Sequence, residues 1–536
     1  MSIKSIFLKF ILSAIIMISV LSCGKQPNKK PNILLILVDD MGFSDLGCYG
    51  SEISTPNIDG LAENGLRFTN FYNSARCCPT RASLLTGLYP HQAGMGAMVT
   101  SDLKSAEKGP YQGFLNNQCV TLAEVLKTAG YHTFMSGKWH VGEEHPQWPM
   151  DRGFDDYYGL ISGAAHYFNI RRTKWPDIKR HFAKGNIEYM PPTENWYMTD
   201  AITDNAVRML EKFGQDDKPF FLYLAYTAPH WPLHALADDI AKYQGKYLIG
   251  WDKLREERYQ RQLRMNLFGK PIRLSERDPI VPAWNTLDQA KKDEMDLKMA
   301  VYAAQIECMD RGVGKVLDKI KQLQKFDNTL VLFLSDNGAC AEGGVFGRDF
   351  WGNSAPPGGR DGYHNYGTGW ANASNTPYKK YKQYTHEGGI ITPLIAQWPE
   401  VIKQKGEMSN QTGHIIDVMT TFCDIADTKY PEIYKGKQIQ SSAGKSLLPI
   451  FKGQTRREHE QICWEHIGSV GIRKGQWKLV ASRNEPWELY DLEVDPTELK
   501  DVINDHSKLA KELQKEWLIW AQTNGVKVSE HHTKIQ

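Results

Sequence analysis

The sequence predicts an α/β protein: a large, mostly parallel sheet flanked by helices on both faces, followed by a smaller C-terminal α+β domain. Three observations predict it. Four short apolar runs each end in polar residues, helical patterns lie between those runs, and the pattern changes after about residue 455. The first run, Asn32 to Asp40, is continuously apolar before its two acids, which reads as a buried parallel strand. The others are Tyr131 to His140, Pro219 to His230 and Thr329 to Gly338. Each carries its polar cargo at the C-terminal end, the edge at which open α/β sheets bind ligands.

The helices between them have their own signals. Thr121 and Glu124 form a predicted capping box, with Gly130 as the stop. From Thr203 the apolar residues Val207, Leu210 and Phe213 fall at helical intervals, and Met299, Tyr302, Ile306, Val313, Val316 and Ile320 do so over 298 to 323. Alternating strands and helices give the layered α/β reading. Residues 231 to 297 and 341 to 381 break the rhythm and read as long loops, which in a compact domain are usually functional. Beyond residue 455, Trp464, Val470, Ile472, Trp477, Leu479, Trp487, Leu489 and Tyr490 fit short strands, and Asp505 to Thr523 fits a closing helix.

The 536 residues carry a net charge of +2, which gives no support for a nucleic-acid partner. Fifteen Trp and 24 Tyr leave aromatic side chains for a carbohydrate or aryl site beyond those a core uses. Lys4 and Lys9 precede an apolar stretch from Phe10 to Leu21, about half of what a membrane span needs. It ends in Val20-Leu21-Ser22-Cys23-Gly24, which resembles a bacterial lipobox with Cys23 as the acylated residue. The expected layout is a signal peptide over 1–22, a basic tether over 23–31, a catalytic domain over 32–455 and a C-terminal α+β subdomain over 456–536. An exported lipoprotein facing the periplasm is expected, with the cell surface as the alternative and the lipid on Cys23 its only membrane contact. The nine cysteines show no CxxC and no paired metal spacing, so most are expected to be small buried hydrophobes.

The chemistry gathers at the strand ends. Asp39, Asp40, Asp336 and Asn337 offer three carboxylates and an amide carbonyl, hard oxygen ligands that suit Ca²⁺ or Mg²⁺ rather than zinc. Cys77 precedes a predicted helix from Thr80, and a helix N-terminus favours negative charge. Arg81 lies one turn further on the same face. Lys138 and His140 alternate along a strand end and so face the same way. His230 ends Thr227-Ala228-Pro229-His230, and Lys382 stands five residues before Glu387-Gly388-Gly389. Several cations and donors at one point suit a sulfate or phosphate ester.

The run Cys77-Cys78-Pro79-Thr80-Arg81-Ala82-Ser83-Leu84-Leu85-Thr86-Gly87 matches the signature of the formylglycine-dependent (type I) sulfatases. Asn372 to Pro377 and His386 to Pro393 resemble the bacterial arylsulfatase branch, and the likeness spans roughly residues 32 to 500. The resemblance implies an alkaline phosphatase-like fold and hydrolysis of aryl or carbohydrate O-sulfates, with a sulfated glycan the expected substrate. It implies that Cys77 is oxidised to formylglycine by a formylglycine-generating or an anaerobic sulfatase-maturating enzyme. The hydrated aldehyde then attacks sulfur and also binds the cation, for which Ca²⁺ is the commoner choice. By the same resemblance Arg81 holds the modified residue and its oxyanion, and Lys138 is one of the cations gathered in the active site. His230 protonates the leaving oxygen, Lys382 neutralises it, and His140 takes the proton from the second hydroxyl of residue 77 so that sulfate is expelled. One departure is Ile391, where many relatives carry arginine, so no contact of that arginine carries over.

His166, His466, Asp361, His364 and Trp370 are further candidates for the substrate pocket. A phosphodiester or phosphonate monoester hydrolase of the same superfamily is the alternative reading. A non-catalytic sulfated-glycan binder is the third, and it would tolerate loss of the nucleophile or the general acid, both of which are present.

Overall fold

The computed structural model describes residues 29–99, 107–173 and 179–535. The signal-peptide and lipobox expectations, Cys23 included, lie outside the described residues. The main strands are β1 (Asn32–Val38), β2 (Leu66–Phe68), β3 (His132–Gly137), β4 (Asp156–Leu160), β5 (Phe182–Lys184), β6 (Ile187–Glu188), β7 (Phe220–Ala225), β8 (Thr329–Ser335), β9 (Leu394–Gln397) and β10 (Glu407–Ser409). They form one ten-stranded sheet in the order β10-β2-β9-β8-β1-β7-β3-β4-β5-β6. The four apolar runs are its neighbouring central strands β8, β1, β7 and β3, all mutually parallel. The antiparallel members lie to the outside, with β9 against β8 and β5 against β4.

Both faces of this sheet are covered, which is why the central strands read as unbroken apolar runs. Along β1, Leu34, Ile36 and Val38 enter one core while Ile33, Leu35 and Leu37 enter the other. The helices are α1 (Pro56–Glu63), α2 (Cys77–Thr86), α3 (Leu122–Thr128), α4 (Met198–Phe213), α5 (Gly250–Arg264), α6 (Gln289–Gln322), α7 (Gly367–Ser374), α8 (Asp417–Ile425) and α9 (Ser507–Thr523). Helices α4 and α6 pack on the first face; α2, α3 and α8 pack on the second. The capping box at Thr121 and Glu124 is formed, and Gly130 takes a φ of 90° just past the end of α3.

The two expected loops contain more order than their composition shows. The segment 231–297 holds α5 and the first turns of the 34-residue α6; 341–381 holds α7. Helix α5 has little apolar periodicity because it buries polar side chains. Arg258 pairs with Asp45 at 2.6 Å and Glu52 at 2.8 Å, and Gln262 donates to the Tyr49 and Thr376 carbonyls. Trp370 of α7 packs against Trp251 and Trp284 and donates to the Met295 carbonyl.

The C-terminal residues form an antiparallel sheet of β11 (Ile462–His466), β12 (Ser469–Lys474), β13 (Trp477–Ala481) and β14 (Glu488–Asp491), in that order. Helix α9 closes it, with Leu513, Trp517 and Ala521 sharing a core with Val470, Ile472, Leu479 and Leu489. All eight described cysteines are buried and unpaired. Among the described residues, no helix is long and apolar enough to cross a membrane.

Candidate active site

The site lies beyond the C-terminal ends of β8, β1, β7 and β3. Asp39 and Asp40 follow β1, Asp336 and Asn337 follow β8, Lys138 and His140 follow β3, and His230 follows β7. The strand ends are shaped by special backbone. Asp40 has a φ of 64° and His140 of 59°, left-handed values that a non-glycine residue holds only where its surroundings fix it. Lys138 and His140 therefore converge through a turn rather than by strand alternation. Gly137 makes that turn possible: its φ is 125°, and a Cβ there would lie 1.8 Å from the Ala225 carbonyl oxygen. Cys77 is the first residue of α2, three positions earlier than the sequence predicted, and so sits at the helix N-terminus itself. Lys382 arrives from the segment after α7, its backbone N–H donating to the Ala339 carbonyl at 3.1 Å.

The side chains form one buried network. Lys138 Nζ donates to Asp39, and Arg81 Nη2 reaches Asp336 at 3.0 Å and Asp39 at 3.6 Å. A second Arg81 nitrogen donates to the Lys138 carbonyl at 2.8 Å. Lys382 Nζ donates to Asp40 at 2.9 Å, and the Asn337 amide donates to the other Asp40 oxygen at 2.7 Å. His230 Nε2 lies 3.4 Å from Asp40 and 3.5 Å from Lys382 Nζ, while its Nδ1 faces the Trp231 carbonyl at 2.5 Å. Asp39, Asp40 and His230 each place a ligand atom within 4.8 Å of the others, and so do Cys77, Cys78 and His140. All ten residues expected from the sequence are thus brought together.

The electrostatics fit a hard divalent cation. Asp39 Oδ1 and Asn337 Oδ1 are buried and have no hydrogen-bond partner. Burial, then the neighbouring Asp39, pushes the Asp336 carboxyl well up. Burial also opposes ionisation of Asp40, but Lys382 and His230 outweigh it and hold the group at about 2. Clustered carboxylates and orphaned oxygens are what a bound cation relieves. The Cys77 thiol is pushed well down by a hydrogen bond with Cys78 and, against burial, by Lys138, His140 and Lys382. The same field would stabilise any anionic oxygen at position 77. Burial lowers His140 to about 4, so its ring is neutral and free to accept a proton.

A cleft of about 770 Å³ opens beside Lys382. Glu342, Gln383 and the C-terminal residues His466, Ser469 and Arg483 line it. Of the further candidates, only His466 reaches this cleft. His166 is locked in packing: Nδ1 accepts from the Phe168 and Asn169 N–H groups, Nε2 bonds the Arg360 carbonyl at 2.9 Å, and its ring stacks on Trp351. His364 bonds the Ala355 carbonyl, Asp361 pairs with Arg172 at the surface, and Trp370 is core. The sequence reading missed Glu342, which accepts from Trp231 at 3.0 Å and Gln383 at 3.1 Å and pairs with Arg76 at 3.3 Å. Its sequence signals are its place five residues beyond Asn337 and at the start of the long segment 341–381.

The family model described as Sulfatase matches residues 31–428, and that described as N-sulphoglucosamine sulphohydrolase, C-terminal, matches residues 379–522. An uncharacterized sulfatase of Schizosaccharomyces pombe is 33% identical over 93% of this chain and 95% of its own. An arylsulfatase of Klebsiella aerogenes is 31% identical over 85% of this chain and 99% of its own. The crystal structure of Ps i-CgsB in complex with k-i-k-neocarrahexaose superposes with a TM-score of 0.68 at 28% identity, covering 94% of this chain and 95% of that one. Fold, strand-end constellation and these likenesses lead to one conclusion: the chain belongs to the sulfatase family, in the alkaline phosphatase-like superfamily, and is a hydrolase of sulfate esters.

Proposed function

We propose that the enzyme releases sulfate from a sulfated saccharide at position 77, after Cys77 has been oxidised to formylglycine. The observation that carries this is Cys77 at the N-terminus of α2, with the charges of Lys138 and Lys382 acting on it and the His140 ring within reach, beside the cluster of Asp39, Asp40, Asp336 and Asn337. Ca²⁺, held by those four residues and by residue 77, would supply neutralising charge to the sulfate oxygens. A hydrated aldehyde at position 77 would supply one oxygen to attack sulfur and a second hydroxyl whose deprotonation lets sulfate leave.

The chain's own groups do the rest. Arg81 and Lys138 fix Asp39 and Asp336 and give the anion a positive wall. His230 donates Nδ1–H to the Trp231 carbonyl, which aims Nε2 at the site. There it passes a proton to the leaving alcohol oxygen, and Lys382 Nζ beside it takes up the remaining charge. The neutral His140 ring accepts the proton from the second hydroxyl.

That Ps i-CgsB was solved in complex with k-i-k-neocarrahexaose supports the saccharide reading for this chain. Cys77 is only 2% exposed, so the maturating enzyme, oxygen-dependent or anaerobic, acts on the chain before it folds. Lipidation at Cys23 would then hold the exported enzyme at a periplasm-facing membrane. Mass spectrometry of the peptide containing residue 77 tests the reaction. An aldehyde is expected in active preparations; full activity from an unmodified thiol would overturn the mechanism.

A further inference from the structure

The C-terminal sheet forms one wall of the cleft beside Lys382. His466 is the last residue of β11, paired with Ser469 across a turn in which Ile467 and Gly468 take φ values of 48° and 85°. Strand alternation places Trp464 and His466 on one face and Glu465 on the other. Both faces are pinned. Trp464 donates to the Asn73 carbonyl at 2.8 Å and packs on Tyr72, whereas Glu465 pairs with His91 at 2.8 Å and Tyr111 at 3.2 Å and accepts from the Gly468 N–H.

His466 itself is 1% exposed, yet neither ring nitrogen has a hydrogen-bond partner among the protein's groups. The ring lies within the electrostatic reach of Arg76 and Cys77, at the start of α2. A buried, unsatisfied polar group in a native fold calls for an explanation. Here the ring lines the cleft together with Lys382, so a ligand in that cleft is the missing partner.

We propose that His466 recognises the alcohol half of the substrate, hydrogen-bonding a sugar hydroxyl that neighbours the sulfate ester. This rests on the saccharide reading given above. Sulfate has its own partners in Arg81, Lys138 and Lys382, and His466 adds no charge to them. Burial, then Arg76, lowers its ring to about 3 and keeps it neutral. A neutral imidazole offers one donor and one acceptor, the complement of a hydroxyl. The C-terminal sheet thereby becomes a determinant of substrate choice and not only a cover for the catalytic domain.

The test compares wild type, His466→Ala and His466→Gln, each with its aldehyde content and melting temperature measured. The substrates are the best of a panel of monosulfated hexoses and N-acetylhexosamines, and 4-nitrophenyl sulfate, which has no hydroxyl to recognise. For His466→Ala the ratio of sugar to aryl kcat/KM should fall by about tenfold to a hundredfold, chiefly through KM. His466→Gln, which keeps a donor and an acceptor, should recover part of the loss. An equal loss on both substrates, or no loss on either, overturns the proposal. If the wild type cleaves 4-nitrophenyl sulfate and none of the sugars, the saccharide reading fails and takes this proposal with it.

Discussion

His230 makes its functional contacts through two atoms. Nδ1 is committed to the Trp231 carbonyl, and Nε2 lies between Asp40 and Lys382. If it delivers the proton to the leaving oxygen, its worth depends on how much that oxygen needs one. His230→Ala should lower kcat by about 10²- to 10⁴-fold on a sugar sulfate, whose alkoxide leaves poorly. The loss should be much smaller on 4-nitrophenyl sulfate, whose phenolate leaves unaided, and steady-state kinetics on the two substrates read the difference. Equal losses would assign His230 to binding or structure. At this scale the sequence was most informative. Cys77, Arg81, Asp39, Asp40, Asp336 and Asn337 stand in compact motifs whose chemistry is visible in the residue types. Glu342 and the unpaired nitrogens of His466 were not visible in that way, because their meaning lies in what surrounds them.

Buried charge adds to apolar packing in several elements. Asp417 opens α8 and accepts from His459 at 2.7 Å, Arg456 at 2.7 Å and the backbone N–H groups of His414 and Lys445. Burial raises its pKa, but His459, then Arg456, outweigh that and hold it at about 2. The folded carboxylate thus has the lower pKa, so its contribution is complete above about pH 4 and is lost as pH falls towards 2. Asp417→Asn should cost about 2 kcal/mol near neutral pH, with the gap to wild type closing over that acidic window. Urea midpoints measured across pH check both the size and the sign. Helix α5 was read as loop for a related reason: its stability comes from Arg258 and Gln262, whose partners Asp45, Glu52, Tyr49 and Thr376 are remote in sequence. The capping box of α3, by contrast, is complete within four residues and was legible at once.

Across the whole molecule, the catalytic and C-terminal parts are joined by a buried ionic contact. Lys478 of β13 pairs with Glu387 at 2.6 Å and Glu498 at 2.8 Å, and Glu387 also accepts from Tyr72 at 2.9 Å. Glu387 lies in the Glu-Gly-Gly turn that follows Lys382, and Gly338 lets that turn approach the end of β8, since a Cβ there would lie 1.8 Å from the Gly388 carbonyl oxygen. Lys478→Met would strand two buried carboxylates and should destabilise the protein by about 3–5 kcal/mol. Thermal denaturation and limited proteolysis of the C-terminal sheet would report it; an unchanged melting temperature would argue against a docking role. The sequence by itself determined the layered α/β class and the parallel central strands, and it marked the candidate nucleophile and cation ligands that the fold gathers at the strand ends, because strand periodicity and contiguous motifs are local properties of the chain. Tertiary structure alone decided that Trp370 and His166 are packing residues, that the charged segment 231–297 is ordered, and that His466 faces the cleft. Each of these depends on residues far apart in the sequence that only folding brings together: Trp370 with Trp251 and Met295, His166 with Arg360, and His466 with Lys382 across the cleft.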